Sequence, residues 1–191
     1  MKKITFVLSV VLIVLFIIGC GSNKNLSQVN EGDIPEWYPL PPQDPNFVFA
    51  AKTATSQDMQ LAVDKAVVDG RAEIGRTIEL QLQGLQKKFN EEIGAGENST
   101  LLQQFTQATK IVVDQTLTGS QIKNQKISKD GNLWRAYVLV QYPLGAANEA
   151  FMQQIQKQQE LYTRYRSSQT FKELEDEVQK YREWKEKQGQ N

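Results

Sequence analysis

A continuous apolar stripe at helical spacing runs through the middle of the sequence. It predicts one long amphipathic helix that begins after Ser56, as its N-cap, and extends to about Ile93. Gly70 and Gly75 lie inside this helix, where each costs about 1 kcal/mol relative to Ala. We expect that the helix approaches a sheet or another helix closely at these glycines, and that this packing compensates for both losses of helix stability. The members of the stripe recur every three or four residues: Val63, Val67, Gly70, Ile74, Ile78, Leu82, Leu85 and Phe89.

Four segments have the composition or the alternation of β-strands. Residues 47–54 precede the long helix, and residues 110–118 are rich in Val, Ile and Thr. Residues 122–128 are polar and their alternation is broken, which predicts a bulge or an edge position. Residues 129–132 (Lys-Asp-Gly-Asn) predict a hairpin turn. In the strand that follows, one face carries Trp134, Ala136, Val138, Val140 and Tyr142.

The predicted order is therefore strand, helix and three strands, with a short helical piece over residues 100–108. One amphipathic helix packed on a small, mostly antiparallel sheet is the economical arrangement of these elements. We therefore predict an α+β domain over residues 47–145.

A long helical tail is predicted for residues 146–191. Its two apolar stripes are out of phase, which predicts a break near Ser167, and Thr170 to Glu173 resembles a capping box. The narrow seam suits a coiled coil or a helix lying on a partner. A helix folded back on its own domain is the alternative. The stripes consist of Phe151, Ile155, Tyr162 and Tyr165, and of Phe171, Leu174, Val178 and Tyr181.

The N-terminus has the layout of a bacterial lipoprotein signal. Two lysines precede an uncharged, mostly aliphatic run, and Gly19 and Cys20 close it. The run is shorter than the roughly 20 residues that a membrane-spanning helix needs. Residues 1–19 thus look like a signal peptide with a lipobox, cleaved after Gly19, which leaves Cys20 to carry diacylglycerol and an acyl chain such as palmitate. Two or more acyl chains would anchor the protein stably to a membrane.

Residues 20–46 are predicted to form a tether between the lipid and the domain. The first part is polar, and residues 34–45 contain five prolines. Because proline fixes φ and biases the preceding residue toward extended structure, we expect a spacer rather than a helix or a central strand.

Composition excludes several kinds of chemistry. The chain has 22 Lys plus Arg, 22 Asp plus Glu and no histidine, and Cys20 is its only cysteine. Catalytic Ser-His-Asp or Cys-His arrangements and zinc sites with nitrogen or sulfur ligands cannot be built from this set. A nucleic-acid partner is not expected, because no basic face is concentrated. We predict a protein that is not an enzyme, with no catalytic residues, no cofactor and no metal.

Several segments occur in an order that resembles a known family. They are Pro35 to Tyr38, the strand from Phe47 to Ser56, the helix from Gln60 to Arg76, and Trp134 to Val140. This order is similar to the outer-membrane lipoprotein family named after the twenty-kilodalton lipoprotein of Helicobacter. That family has an Ala-rich run before an Arg, where this chain has Gly70 before Arg71. The resemblance covers residues 35–142 and does not explain the tail.

The resemblance implies an envelope protein anchored in the outer rather than the inner membrane, without catalytic residues. Its relatives include surface antigens and flagellar assembly lipoproteins, so a structural or assembly role through self-association or protein contacts is expected. A periplasmic-facing module that binds a small molecule or a peptidoglycan fragment is the alternative. Arg71 either faces solvent and pairs with a carboxylate of its own chain or forms a salt bridge between subunits. The candidate interface residues are Arg71, Phe171, Leu174, Val178 and Tyr181.

Overall fold

The computed structural model describes residues 34–94 and 98–189. The predicted signal peptide, with Gly19 and the lipidation site Cys20, lies outside the described residues, as does the tether up to residue 33. The described chain contains β1 (Phe47–Ser56), α1 (Met59–Ile93), α2 (Ser99–Gly119), β2 (Gln121–Asp130), β3 (Leu133–Pro143), α3 (Leu144–Lys157), α4 (Gln159–Tyr165) and α5 (Gln169–Gly189).

The sheet is antiparallel and has three strands in the order β1-β3-β2. A tight hairpin joins β2 to β3, and Gly131 adopts the positive φ of 60° that such a turn requires. The register of β2 shifts between Ile122 and Asn124, where the extra residue forms a bulge on this edge strand. The predicted α+β fold, hairpin and irregular edge strand are confirmed.

Helix α1 crosses one face of the sheet, and two residues separate its start from the end of β1. Asp58, rather than the predicted Ser56, is its N-cap, because the Leu61 N–H donates to Asp58 Oδ1 at 2.8 Å. The predicted close approaches are present at both glycines. Gly70 lies against Val140 of β3, and Gly75 lies against Leu117 and Val113 of α2.

The strand predicted for residues 110–118 is wrong, because this segment continues the helix α2. Val, Ile and Thr are common in strands, but the residues that α2 buries recur at helical intervals. They are Leu101, Phe105, Ala108, Thr109, Val112 and Thr116. The threonines that suggested a strand are accommodated within the helix, since the Thr116 hydroxyl donates to the Val112 carbonyl oxygen at 2.8 Å. The sheet therefore has three strands instead of four.

The C-terminal helices fold back on the domain and complete its core. Phe151 of α3 packs edge-to-face on Phe105 of α2, with ring centroids 5.0 Å apart. Tyr165 of α4 stacks on Phe89 of α1 at 4.4 Å. Burial of the Tyr165 phenol raises its pKa above the ordinary value. Because the same apolar cluster includes residues of the sheet and of α1, the predicted boundary at residue 145 does not separate two packing units.

The predicted break near Ser167 is present between α4 and α5, and a second break occurs at Gln158. The predicted capping box at Thr170 is wrong, because Ser168 caps α5: its Oγ accepts from the Phe171 N–H at 3.1 Å. Glu92, in the last turn of α1, accepts from the Thr170 N–H at 3.1 Å and also from the Thr170 hydroxyl. The end of α1 thus satisfies an N–H group at the start of α5 that has no partner within its own helix.

The proline-rich segment packs on the face of the sheet opposite α1. Tyr38 contacts Tyr137 edge-to-face at 4.9 Å, Pro35 is buried, and the Tyr38 N–H donates to the Pro35 carbonyl oxygen in a turn. Tyr137 and Leu139 of β3 are both buried, although they lie outside the main apolar cluster. Residues 34–38 are therefore part of the folded domain, which corrects the predicted spacer at this end.

Candidate interaction surface

Three of the predicted interface residues are not available to a partner. Phe171, Leu174 and Val178 are only 1%, 2% and 1% exposed, because α5 turns them into the core of its own chain. Their assignment as interface residues is wrong, and so is the coiled-coil interpretation of this stripe. Tyr181 is half-buried and packs on Gly145 and Trp184. The alternative of a helix folded back on its own domain is the one observed.

Arg71 differs from these residues because it lies half-buried at the side of α1. Its Nε is buried and has no hydrogen-bond partner. Within residues 34–94 and 98–189, no carboxylate forms an ion pair with it. The predicted pairing of Arg71 with a carboxylate of its own chain is therefore absent from the described part of the molecule.

Glu73, two residues after Arg71, is engaged on the other side of the helix. Glu73 accepts from Lys52 Nζ of β1 at 3.1 Å and from Arg76 Nη1 at 2.6 Å. The hydrogen bond and the charge of Lys52, followed by the charge of Arg76, hold the pKa of Glu73 below its ordinary value. This network fixes the side of α1 that faces β1.

The opposite side of α1 packs against α2 near Gly75, but α2 does not cover the N-terminal part of that side. Gly75 packs against Leu117, but α2 ends at Gly119 and continues through Ser120 into β2. Leu61, Val68 and Gly75 are separated by seven residues each, which places them in one line along the helix. Leu61 and Val68 lie beyond the end of α2, and both side chains are exposed.

Strand β2 extends this exposed apolar surface. Ile122 and Ile127 pair with Val140 and Ala136 of β3, and these two β3 residues belong to the core beneath α1. Because cross-strand partners point to the same face, Ile122 and Ile127 also point toward the α1 side. Ile122 is exposed and Ile127 is partly buried. We call the surface formed by Leu61, Val68, Arg71, Ile122 and Ile127 the α1–β2 strip.

Sequence reasoning identified Arg71 in this strip and missed its other members. Leu61 and Val68 lie off the main apolar stripe, and Ile122 is a single apolar residue in a polar strand. The available signal was the seven-residue spacing of Leu61, Val68 and Gly75. Nothing in the sequence showed that α2 covers only the last of these three positions, because residues 110–118 resembled a strand.

A small cleft lies on another part of the surface, between α3 and α5. Its volume is about 230 Å³. Asn148 Nδ2 donates to Glu177 Oε2 across it at 2.8 Å. Ligand pockets usually enclose roughly 300–1,000 Å³, so this cleft is small for a binding site. It is lined by Pro45, Asn46, Leu144, Gly145, Asn148, Glu177, Lys180 and Tyr181.

Within the described ranges, no group of three or more His, Cys, Asp or Glu residues is arranged to hold a metal ion. No helix of residues 34–94 or 98–189 is both long and apolar enough to cross a bilayer.

The chain matches no protein-family model and no curated protein.

Proposed function

We propose that this chain is a lipid-anchored protein of the bacterial outer membrane with a structural or assembly role in the cell envelope. The proposed lipid anchor is supported by the position of Cys20, the only cysteine, directly after an apolar run and a small residue. Modification of this thiol by the lipoprotein machinery of the cell is the reaction proposed for it. The outer membrane is proposed from the resemblance of residues 35–142 to the Helicobacter-type lipoproteins.

The α1–β2 strip supports a role in protein contacts. It combines exposed apolar side chains with a half-buried arginine whose Nε has no partner in the described chain. Apolar surface rimmed by polar groups is typical of protein interfaces. The buried seam of α5 makes no contribution to such a role, so the proposed contacts involve the α1 side of the domain.

Binding of a small molecule or a peptidoglycan fragment is the second candidate function. The observation that supports it is the chemistry of the cleft between α3 and α5, which is small but brings together polar groups of Asn148, Glu177 and Lys180. Titration with soluble peptidoglycan fragments, followed by the fluorescence of Trp184 and the other tryptophans, tests it. Saturable binding that Asn148→Ala weakens would favour this function over protein contacts.

Metabolic labelling with radioactive palmitate tests the lipid anchor in a bacterial host. The full chain is expected to incorporate label and to float with outer-membrane vesicles on a density gradient. Cys20→Ser should lose the label and keep the unprocessed length, whereas Ser22→Ala, the matched control, should behave as the parent chain does. Unlabelled parent chain, or equal labelling of Cys20→Ser, would refute the anchor. A motility assay on a deletion strain tests the flagellar association that the resemblance implies.

A further inference from the structure

We propose that the α1–β2 strip is a two-fold interface between two copies of this chain, in which Arg71 of each copy pairs with Asp64 of the other. This inference specifies the partner for the protein contacts in the proposed function and rests on that function. The second copy is favoured because Arg71 of the strip and Asp64, on the same side of α1, place opposite charges in a self-complementary order.

The order of residues along α1 has this self-complementarity. Asp64 lies four residues before Val68 and Arg71 lies three residues after it, so all three occupy the same side of the helix. Asp64 and Arg71 are equally distant from a midpoint between residues 67 and 68. If two α1 helices pack antiparallel about that midpoint, each Asp64 lies opposite an Arg71. A two-fold contact of this kind repeats the pair on both sides of the axis.

The two charges cannot satisfy each other within one chain. Seven residues of helix separate Asp64 and Arg71 by about 10 Å along the axis. Asp64 is exposed and accepts a hydrogen bond from Gln60 Nε2 at 2.8 Å. Arg71 Nε is buried and unbonded, and an unsatisfied buried donor is unfavourable. Because Arg71 as a whole is only half-buried, a carboxylate from a second copy would give its guanidinium a charge partner, which the described chain does not provide.

Apolar contact at the axis accompanies the charge pairs. Val68 is 63% exposed and lies beside the midpoint. Ile122 of β2 is exposed next to the same side of α1, since it pairs with Val140, over which α1 passes at Gly70. The two-fold contact would cover these side chains and exclude water from the charge pairs, which strengthens their attraction.

Formation of a disulfide at the axis tests the geometry in the intact cell. In a two-fold contact, the cysteine that Val68→Cys introduces lies close to the same cysteine of the second copy. The cell envelope permits disulfides to form. The matched control is Leu80→Cys, because Leu80 is 62% exposed on α1 and lies outside the strip. We expect at least tenfold more disulfide-linked dimer from Val68→Cys than from Leu80→Cys, measured on non-reducing gels. The parent chain controls for Cys20.

Charge reversal in the Val68→Cys background tests the proposed pairs. Asp64→Arg places two arginines together on each side of the axis and should lower the dimer yield at least tenfold. Arg71→Asp should have a similar effect, and the double variant should restore the yield to within about twofold. Because Asp64 is exposed, Asp64→Arg tests the pairing even if Arg71→Asp does not fold. An unchanged yield in Asp64→Arg, or no restoration in the double variant, would overturn the proposal.

The same samples separate failure of the interface from failure of the proposed function. One outcome refutes the interface alone: the chain is palmitoylated and migrates as a large complex on native gels, but Val68→Cys gives no more disulfide-linked dimer than Leu80→Cys. The proposed function stands in that case. Linkage of Val68→Cys to a protein of different mass also overturns the second-copy proposal. If the parent chain carries no palmitate and migrates as a monomer, the proposed function fails.

Discussion

Gly70 of α1 lies directly over Val140 of β3: a Cβ atom added to Gly70 would fall 2.6 Å from Val140 Cγ2. The contact brings the helix close to the central strand, with the Ala50 carbonyl oxygen 3.8 Å from the same point. The absence of a side chain at Gly70 therefore sets the distance between the two layers of the domain.

We expect Gly70→Ala to destabilise the protein by about 1–3 kcal/mol, because overpacking exceeds the gain in helix propensity. Gly84 is the control, since a Cβ there would meet nothing within 4 Å. Gly84→Ala should stabilise the helix by about 0.5–1 kcal/mol. Urea unfolding measures both, and adding Val140→Ala to Gly70→Ala should recover part of the overpacking loss. Equal effects of the two glycine substitutions would contradict the close contact.

The buried face of α5 leads to a prediction about the tail. Leu174 is 2% exposed in the common core, whereas its neighbour Glu175 is exposed. Leu174→Ala should lower the free energy of unfolding by about 2–5 kcal/mol, as truncation of a buried leucine does. Glu175→Ala should change it by no more than about 0.5 kcal/mol. A thermal melt in which both variants match the parent chain would show that the tail is not part of the cooperative unit.

The Glu92–Thr170 contact predicts a dependence of stability on pH. The hydrogen bond from the Thr170 hydroxyl is the main cause that holds the pKa of Glu92 below its ordinary value of 4.5. Because the pKa is lower in the folded state, the contribution of Glu92 is present above the unfolded pKa. This contribution is lost as the pH falls through the pKa that Glu92 has in the folded state.

Glu92→Gln should therefore be less stable than the parent chain at pH 7, and the difference should shrink as the pH falls from about 5 to below the folded pKa. Unfolding by urea at a series of pH values measures this difference. Glu91→Gln is the matched control, because it alters a neighbouring carboxylate that lies 4.0 Å from Lys87 Nζ. A difference for Glu92→Gln that stays constant down to pH 2 would exclude the ionised carboxylate as the source of the effect.

The parts of the fold that sequence predicted correctly depend on local patterns. The stripe of α1, the Gly131 turn and the alternation of β3 each follow from neighbouring residues. Residues 110–118 were misassigned because Val, Ile and Thr favour strands locally, whereas packing against Gly75 of α1 favours the helix. Tertiary contact overrides local preference here.

The candidate surface was harder to predict than the fold. The apolar seam of α5 resembled an interface because the sequence alone does not show whether Leu174 meets its own core or a partner. Conversely, Val68 is exposed because α2 ends at Gly119, an end point that the sequence does not reveal. The family resemblance singles out Arg71, but its unbonded Nε is a property of the folded chain.

The proline-rich segment is predicted to contribute to the stability of the domain through Tyr38. Tyr38 contacts Tyr137 at 4.9 Å on the face of the sheet opposite α1. Aromatic pairs of this geometry contribute about 0.5–1.5 kcal/mol beyond the area that they bury. Tyr38→Ala should thus destabilise the domain by at least about 1 kcal/mol and expose Tyr137 to solvent. Leu40→Ala, at a position that is exposed in the same segment, should have little effect on unfolding.

Protease digestion gives a second measure, because undocking should make residues 34–46 of the Tyr38→Ala variant cleave faster while β1 stays protected. If Tyr38→Ala and Leu40→Ala unfold and cleave alike, residues 34–38 act as a spacer, as the proline content alone suggested, rather than as part of the domain.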